Sequence, residues 1–498
     1  VKSNPATGEF QGDPATFTGG CAVLNFCNRG SNLQYSEGLY GYRWTGSTGC
    51  ETPGPQWRLE AGKSYGVILC ADADGNPTKK RWGGGGGGGG SGHPGNNLHT
   101  HGLHISGSGN SDDITRHTPV GECSFYQYSI PADHMGGTMW YHPHVHYHTL
   151  PQVVGGAFGW IIVEDRTTVG ELVSTSSVGT AAEQLAVETF LRNPANELML
   201  MAVRHNSNWV NFNHDGNTND YTLTAGQWYR MRVITINADA EPETVRFPTE
   251  CTVRALAHDG VYRFSPPKAA SSSYYLTGAS RIDVAIKCDT VTSTPLTIDM
   301  DFGWDSTYSC SGNNGYWGGE CWSNPGPSVA SITVVSGTPN GESPLLAGAV
   351  LGQWKSWRPF YLRDILGENV DNTWAADVTR NDINNKEYDP DCALKDGGND
   401  FQANTIQEWT LESASRHPFH LHLYHQQIAN TECGPGHDIG EYYDTVADAS
   451  STGGWNRKRT LKSQAHKGKR WGGGGDNCKV KFHATDIGGR TIFHCHIL

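Results

Sequence analysis

Short runs of β-branched and aromatic residues, separated by turn-forming residues, recur along most of the chain. Runs of this length and composition predict β-strands. Long helical periodicity is almost absent, and the best helix candidate is the short stretch 182–190. The clearest predicted strands are residues 158–163, 252–256, 281–287, 296–301, 331–335, 405–411 and 479–482. The pattern therefore favours an all-β protein built of sandwiches over an α/β protein.

Two changes in composition divide the chain into three segments of similar size. A Ser-, Thr- and Gly-rich stretch follows the predicted strand that ends near Asp165, and a turn-rich stretch follows the strand that ends at Val335. A chain of 498 residues is long enough for about three domains. We therefore predict domains at residues 1–168, 169–343 and 344–498.

The charge balance excludes some classes of partner. The chain has 37 Lys and Arg against 50 Asp and Glu, a formal net charge of −13. Polyanions such as nucleic acid and anionic membranes are poor partners for an acidic protein. The longest apolar runs are also far shorter than the ~20 residues that a membrane-spanning helix needs. We therefore expect no nucleic-acid partner and no membrane span.

The 13 cysteines are an odd number and are spread along the chain with few Cys-x-x-Cys pairs. Such spacing is more typical of disulfides in an oxidising compartment than of zinc sites, so we expect a secreted protein. The first residue is Val1, with no initiator Met or apolar leader, which leads us to expect a mature chain. The spacing suggests local bridges between Cys310 and Cys321 and between Cys21 and Cys27.

Two segments have an unusual composition. Lys80-Arg81-Trp82 is followed by eight glycines, and Lys469-Arg470-Trp471 is followed by four. Glycine runs pack no side chains and are flexible. Each segment is interpretable as a surface loop, as a basic and aromatic contact loop, or as placeholder glycines at unidentified residues.

Nine of the 22 histidines lie in four clusters with the spacing of metal ligands. A single His-x-His pair is weak evidence for a metal site, because most such pairs are structural or lie at the surface. Four pairs in one chain, the last enclosing a cysteine, are hard to explain by coincidence. The clusters are His99-Thr100-His101-Gly102, Trp140-Tyr141-His142-Pro143-His144, His417-Pro418-Phe419-His420-Leu421-His422 and His494-Cys495-His496.

Strand geometry separates these ligands into two groups. Alternate residues of a β-strand share a face, so the two histidines of each pair can bind one metal cluster. In the last motif the imidazoles face one way and the thiol of Cys495 faces the other. His417, three residues before His420, should lie on the Cys495 side if Pro418 does not shift the phase of the strand. The sequence thus predicts eight imidazoles at one site and a Cys–His pair at a second.

The donor types favour copper. A thiolate with imidazole ligands fits a blue-copper electron-transfer site, and eight imidazoles without a carboxylate suit a cluster of copper ions. Zinc is the alternative metal, but a structural zinc site takes only four ligands.

The four motifs, in this order, resemble those of the multicopper oxidases, a laccase-like family of three cupredoxin domains. Gln152 after the second motif fits the resemblance, and the segments Gly226-Gln227-Trp228-Tyr229-Arg230-Met231-Arg232 and His258-Asp259-Gly260 look like the family's middle domain. The resemblance implies three consecutive cupredoxin-like Greek-key β-sandwich domains. The first would carry two motifs, the second none and the third the other two.

The resemblance also implies four copper ions and their ligands. The type 1 copper would be bound by His417 and Cys495, and the type 2 copper by His99 and His420. The type 3 pair would be bound by His101, His142, His144, His422, His494 and His496. The family's second type 1 histidine falls two positions beyond Leu498. Either the chain continues past that residue, which we expect, or the type 1 site is incomplete.

The resemblance implies a copper-dependent oxidoreductase with dioxygen as acceptor. Electrons from a small-molecule reductant would enter near His417 and pass through Cys495 to His494 and His496, and four of them would reduce dioxygen to water. Asp112 or Asp113 resembles the family's acidic proton relay, with a solvated turn as the alternative interpretation.

The reducing substrate is the least determined feature. A phenol or aryl amine is expected from the resemblance. Oxidation of a metal ion such as Mn(II) or Fe(II) is the alternative, slightly favoured by the acidic charge. Candidate carboxylates for a cation site are Asp438, Glu441 and Asp444. An alternative of another class is a non-catalytic secreted structural protein on the same scaffold.

Overall fold

The structure is a computed structural model. It describes residues 2–3, 10–11, 22–31, 38–44, 49–71, 95–146, 148–167, 172, 180–205, 208–212, 220–237, 243–264, 270–302, 328–341, 343, 346, 356–378, 382–384, 386–387, 401–412, 414, 417–434, 436–448, 477–485 and 487–496. Both glycine-rich segments and the predicted Cys310–Cys321 bridge lie outside the described residues.

β-Strands dominate the described residues, which confirms the all-β prediction. Each of the seven predicted strands coincides with an observed strand, and the predicted helix 182–190 lies within α2 (Ala181–Arg192). Thr180 begins this helix, because its hydroxyl accepts a hydrogen bond from the Glu183 amide. A second, short helix is α1 (Thr149–Val154), and two 3₁₀ turns lie at Pro194–Asn196 and Phe360–Leu362.

The first segment forms two four-stranded sheets, with strand orders β4-β3-β6-β8 and β5-β10-β9-β7. Strand β10 is buried along its whole length because both of its faces pack into apolar clusters, Ile161 and Val163 into one and Trp160 and Ile162 into another, which explains its uninterrupted apolar sequence. The strands of this segment are β1 (Lys2–Ser3), β2 (Phe10–Gln11), β3 (Ala22–Ser31), β4 (Gly38–Trp44), β5 (Gly54–Leu59), β6 (Ser64–Ala71), β7 (His99–His101), β8 (Cys123–Ser129), β9 (Gly137–His142) and β10 (Gly159–Val163).

The middle segment pairs a six-stranded sheet, β12-β11-β14-β19-β16-β17, with a five-stranded sheet, β13-β21-β20-β15-β18. Its own apolar core includes Val233, Val284 and Ile298. Its strands are β11 (Glu197–His205), β12 (Asn208–Phe212), β13 (Asp220–Thr224), β14 (Tyr229–Asn237), β15 (Glu243–Arg246), β16 (Cys251–His258), β17 (Val261–Tyr262), β18 (Ser273–Leu276), β19 (Arg281–Cys288), β20 (Leu296–Phe302) and β21 (Ser328–Val335).

The third segment has a five-stranded sheet, β22-β25-β30-β27-β28, and a three-stranded sheet, β29-β26-β31. Each of these larger sheets takes its described strands from one predicted segment, and the exact domain boundaries stay predictions. The strands are β22 (Asn372–Asp377), β23 (Asp382–Ile383), β24 (Lys386–Glu387), β25 (Thr405–Glu412), β26 (Phe419–Leu421), β27 (Gln426–Ile428), β28 (Tyr442–Tyr443), β29 (Thr445–Val446), β30 (Cys478–Ala484) and β31 (Phe493–Cys495).

One continuous apolar core joins the first and third segments. Leu98 and Leu103, which flank β7, belong to the same buried cluster as Phe419 and Leu421 of β26. Burial of this shared apolar surface favours close association of the two segments. The first and third segments are therefore packed together, and the first and fourth histidine motifs lie side by side, with the ring centroids of His101 and His496 5.1 Å apart.

Four disulfides link the described cysteines. The predicted Cys21–Cys27 bridge is wrong, because Cys27 pairs with Cys50. The Cα atoms of Cys27 and Cys50 lie 5.9 Å apart, a usual disulfide separation, so the thiol of Cys27 is already used. The other pairs are Cys70–Cys123, Cys251–Cys288 and Cys433–Cys478.

Neither α1 nor α2, the α-helices of the described residues, has the length and apolar character needed to cross a membrane.

We expect replacement of Gly137 by alanine to destabilise the contact between the first and middle segments. A Cβ atom at this position would overlap the backbone of Gly260, which has no side chain to move aside. Overpacking of this kind typically costs about 1–3 kcal/mol, so the urea midpoint of the metal-free protein should fall. Gly367→Ala is the control, because nothing lies within 4 Å of the place that its new Cβ atom would occupy. Equal midpoints for the two variants would contradict the expected clash.

Candidate metal centre

The four histidine motifs lie on two pairs of neighbouring antiparallel strands. In the first segment β7 pairs with β9, which sets His99 opposite His142. In the third segment β26 pairs with β31, which sets His420 opposite His494. Strands β7 and β31 are edge strands of their sheets. Because the two segments share one core, these edges meet and the histidines of both segments converge.

The eight imidazoles predicted to bind the cluster gather in one group, in which six are buried and His144 and His494 are half-buried. The rings of His99 and His422 stack with their centroids 3.8 Å apart, and those of His101 and His420 stack at 3.9 Å. The Nε2 atom of His494 lies 3.1 Å from that of His144 and 3.0 Å from that of His422. The rings of His142 and His496 complete the group, with their centroids 6.1 Å apart.

Hydrogen bonds fix the orientation of several rings and leave the opposite nitrogen free. The Nε2 atoms of His99, His142 and His420 are buried and have no hydrogen-bond partner. Both ring nitrogens of His496 are likewise buried without a partner. The fixed Nδ1 atoms contact Oδ2 of Asp112 (His99, 2.8 Å), the carbonyl of Pro143 (His142, 2.9 Å), the carbonyl of Asp444 (His420, 2.8 Å) and the carbonyl of Cys495 (His494, 2.9 Å).

His101 has the opposite arrangement. Its Nε2 lies 3.2 Å from Oδ1 of Asp444, and its Nδ1 is the buried nitrogen without a partner. Proteins commonly orient a metal-binding histidine through a hydrogen bond from the ring nitrogen that does not bind the metal. Buried nitrogens without partners are costly unless they bind something, so the arrangement fits metal coordination.

The environment keeps these histidines neutral. Burial lowers the pKa of His142 and His420 to about 3 and that of His494 to about 4, although hydrogen bonds to backbone carbonyls partly oppose it. Burial and the surrounding imidazoles lower the pKa of the other five well below the usual value. Neutral imidazole is the form that binds metal ions, and a set of imidazole donors fits copper.

Cys495 and His417 lie together on the other side of β31. Their Sγ and Nδ1 atoms are 3.4 Å apart. Cys495 is opposite Phe419 in the strand register, whereas its neighbour His494 is opposite His420. Cys495 is also the one described cysteine outside a disulfide. The structure thus brings together the Cys–His pair that strand parity predicts, while its role as a copper ligand stays a prediction.

The two candidate proton-relay residues occupy different environments. Asp112 is buried, contacts His99, and accepts hydrogen bonds from the amide and hydroxyl of Thr100. Burial raises the pKa of Asp112 to about 7. Asp113 is partly exposed and accepts hydrogen bonds from Thr115 instead. A small crevice is lined by both aspartates and by His422.

The carboxylates suggested for a cation site are already paired with arginines. Asp438 lies 2.7 Å from Arg263, and Glu441 lies 3.1 Å from Arg358. Asp444 is buried beside the histidines instead of lying in an open loop. The arginine pairing does not favour a cation site at these three residues, and that interpretation stays a prediction.

Sequence reasoning missed the role of Asp444 and missed Arg281 entirely. Arg281 makes a two-pronged ion pair with Asp444, with Nη1–Oδ1 and Nη2–Oδ2 distances of 2.8 and 2.6 Å. Burial opposes ionisation of Asp444, but the guanidinium holds its pKa below the usual range. The one available signal was a pair of charged residues, Arg281 and Asp283, in a strand that otherwise reads as buried and apolar.

Two family models, both described as multicopper oxidase, match residues 93–168 and 362–498. These two ranges contain all four histidine motifs. No curated protein sequence matched the chain.

Solved structures of similar fold are multicopper oxidases. One from Pseudomonas thermotolerans is 16% identical, with a TM-score of 0.58 over 95% of this chain and 95% of its own. One from Campylobacter jejuni, described as a metallo-oxidase, is 14% identical, with a TM-score of 0.60 over 95% of this chain and 88% of its own. The McoA multicopper oxidase of Aquifex aeolicus is 14% identical, with a TM-score of 0.60 over 96% and 93%. The cupredoxin-like β-sandwich prediction is thereby confirmed.

We expect acid to destabilise the metal-free protein between about pH 6.5 and pH 4. In this range the unfolded chain protonates these histidines and the folded chain does not, so unfolding takes up protons. Each buried histidine then lowers the free energy of unfolding by up to ~1.4 kcal/mol per pH unit as the pH falls. Urea midpoints measured from pH 7 to pH 4.5 test this expectation.

Two variants test whether the buried histidines cause this acid sensitivity. His142→Gln removes one buried histidine and should make the pH dependence shallower. His117→Gln is the control, because His117 is exposed and its removal should change the pH dependence less. A midpoint that does not change with pH in the wild type would show that the histidines are not held neutral.

Proposed function

The chain belongs to the multicopper oxidase family and is a copper-dependent oxidoreductase, and we propose that its activity is laccase-like. In this proposal it couples four one-electron oxidations of a phenolic or aryl-amine substrate to the four-electron reduction of dioxygen to water. One observation supports it above all. The Cys–His pair and the eight-imidazole group lie on opposite faces of β31, separated by a single peptide step.

We assign the ligands as the motifs imply, with four copper ions in each chain. His417 and Cys495 would hold the type 1 ion, and His99 and His420 the type 2 ion. The type 3 pair divides into two groups of three: the Nε2 atoms of His144, His422 and His494 already converge, which leaves His101, His142 and His496 for the other ion.

Bound copper supplies the one-electron redox chemistry of this reaction. The protein's own contribution is connection, orientation and exclusion of water. The backbone of Cys495 joins its thiolate directly to His494 and His496, which gives electrons a covalent route between the two sites. The carbonyls and carboxylates that fix the rings set their geometry before metal binds, and burial of the rings keeps bulk water from the cluster.

Asp112 is the residue that we propose to deliver protons. It is in contact with His99 and lines a small crevice together with His422. Reduction of dioxygen to water consumes four protons, so a buried carboxyl group next to the cluster can act as a general acid.

Oxidation of Mn(II) or Fe(II) is the second candidate function. We retain it because the Campylobacter jejuni structure of similar fold is described as a metallo-oxidase. The arginine pairing of Asp438 and Glu441 weighs against the cation site that the sequence offered for it. A non-catalytic structural role is not supported, because the chain belongs to a family of copper oxidoreductases. We propose a secreted location, which the four disulfides support.

Copper analysis and oxygen-uptake assays test the function. We expect about four copper ions per chain and oxygen uptake with a simple phenol, with little uptake when Mn(II) or Fe(II) is the reductant. Uptake with the metal ions alone would replace the laccase-like proposal by the metallo-oxidase. A wild-type protein with no copper and no uptake would overturn both.

A pair of neighbouring variants tests the proton relay. Asp112→Asn keeps the size of the side chain but cannot donate the carboxyl proton, so oxygen uptake at neutral pH should fall by about 10²-fold. Asp113→Asn should retain the wild-type rate, because Asp113 bonds only within its own turn among the contacts described. Copper content measured in parallel separates proton delivery from ligand positioning. Wild-type uptake by the copper-loaded Asp112→Asn protein would exclude the relay.

A further inference from the structure

Arg281, the first residue of β19, reaches from the middle segment to the boundary between the other two. Its side chain is completely buried. Its Nε donates to the carbonyl of Thr138 in the first segment, 3.2 Å away, and its Nη2 donates to the carbonyl of Asp259 at 2.9 Å. The same guanidinium makes the two-pronged ion pair with Asp444 of the third segment. One side chain thus contacts all three segments.

Asp444, the partner of Arg281, also contacts two histidines of the cluster. Its Oδ1 accepts from Arg281 and from the hydroxyl of Thr445, and also lies 3.2 Å from Nε2 of His101. Its backbone carbonyl lies 2.8 Å from Nδ1 of His420. Because Arg281 holds both carboxylate oxygens, the carboxylate cannot turn away from His101 without breaking a charge-assisted hydrogen bond.

The contact with Asp444 determines which nitrogen of His101 is available. An Nε2 that donates to a carboxylate must carry the proton, which leaves the lone pair on Nδ1. Each of the four rings anchored through Nδ1 presents Nε2 instead. His101 is therefore the cluster ring whose tautomer is set by Asp444, and Asp444 is in turn oriented by Arg281.

The chain also leaves space for Arg281 within the first motif. Gly102 has a φ of +96°, and a Cβ atom there would overlap Nη2 of Arg281. This glycine follows His101 directly, so a side chain at this position would displace the guanidinium from Asp444 or shift the histidine. The position of the Arg281 guanidinium against the first motif therefore requires a glycine at position 102.

From these contacts we propose that Arg281 is a positioning residue for the copper cluster, acting through Asp444 on His101 and His420. The proposal rests on the copper-oxidase function. It gives the middle segment, which carries no copper motif, a direct part in forming the metal site. The arginine touches no copper ligand itself, and its effect is on the tautomer and orientation of the rings.

The alternative is that Arg281 only holds the segments together, and Arg230 offers a matched control. Arg230 is also a buried arginine of the middle segment, and it pairs with Asp283 and, across the boundary with the first segment, with Asp165. It makes no described contact with Asp444 or with a cluster histidine. Loss of Arg230 should therefore weaken the same boundary without changing the rings.

The test compares Arg281→Gln, Arg281→Lys and Arg230→Gln with the wild type, all loaded with copper as full-length chains. Copper per chain, copper retention against a chelator and the electron paramagnetic resonance spectrum report the cluster. The visible absorption of the thiolate–copper centre reports the type 1 site, which Arg281 does not reach. Thermal unfolding of the metal-free proteins reports stability.

We expect Arg281→Gln to bind cluster copper roughly 10- to 100-fold more weakly, the usual effect of losing a group that orients a ligand, and to keep the thiolate–copper absorption. Arg281→Lys should recover part of the cluster spectrum, because lysine restores the charge but not the two-pronged geometry. Arg230→Gln should lose stability while binding the full complement of copper with an unchanged spectrum.

Three results would overturn the proposal. The first is a wild-type cluster spectrum and copper retention in Arg281→Gln. The second is equal copper loss in Arg230→Gln, which would show that general destabilisation is the cause. If Arg281→Gln does not fold, Arg281→Lys decides, and an unchanged cluster in that variant is the third. Absence of copper from the wild type would instead refute the copper-oxidase function, and this inference with it.

Discussion

The structure depends on bringing eight uncharged imidazoles together in a buried space where two sheet edges meet. Burial of so many polar rings is unfavourable in itself, and two features compensate for it: the apolar core shared by the first and third segments, and the acceptors that hold one nitrogen of several rings. The remaining nitrogens without partners are the unfavourable part, and copper binding would relieve it. Metal affinity and fold stability are therefore linked through the same atoms.

The middle segment contributes to the site without supplying a ligand. Its strand β19 contacts β9, and Arg281 at the start of β19 connects Thr138, Asp259 and Asp444. A buried arginine between carboxylates of different segments requires close and specific packing, because any gap would leave a charge without its partner. The precision of the histidine positions thus depends on contacts with a segment in which no metal motif can be recognised.

The sequence predicts the ligand motifs well because they are local. The alternation of His, Cys and His along one strand is enough to place His494 and Cys495 on opposite faces, and the apolar runs are enough to locate β10 or β19. Contacts between distant segments could not be predicted from the sequence. The pairing of Arg281 with Asp444, or of Glu441 with Arg358, joins residues far apart in the chain and leaves no periodic signal. The Cys21–Cys27 prediction was wrong for a related reason: the partner of Cys27 is Cys50, 23 positions away, and cysteine spacing alone does not reveal such a pairing.

The meeting of histidines from the first and third segments also has a consequence for biosynthesis. The nearest imidazole nitrogens of the second and fourth motifs belong to residues 350 positions apart. The ribosome synthesises the first motif long before the last, so β7 and β9 are made well before β31. The complete set of imidazoles therefore exists only after the fourth motif has been synthesised. A metal cluster that uses the whole set can form only from that point on.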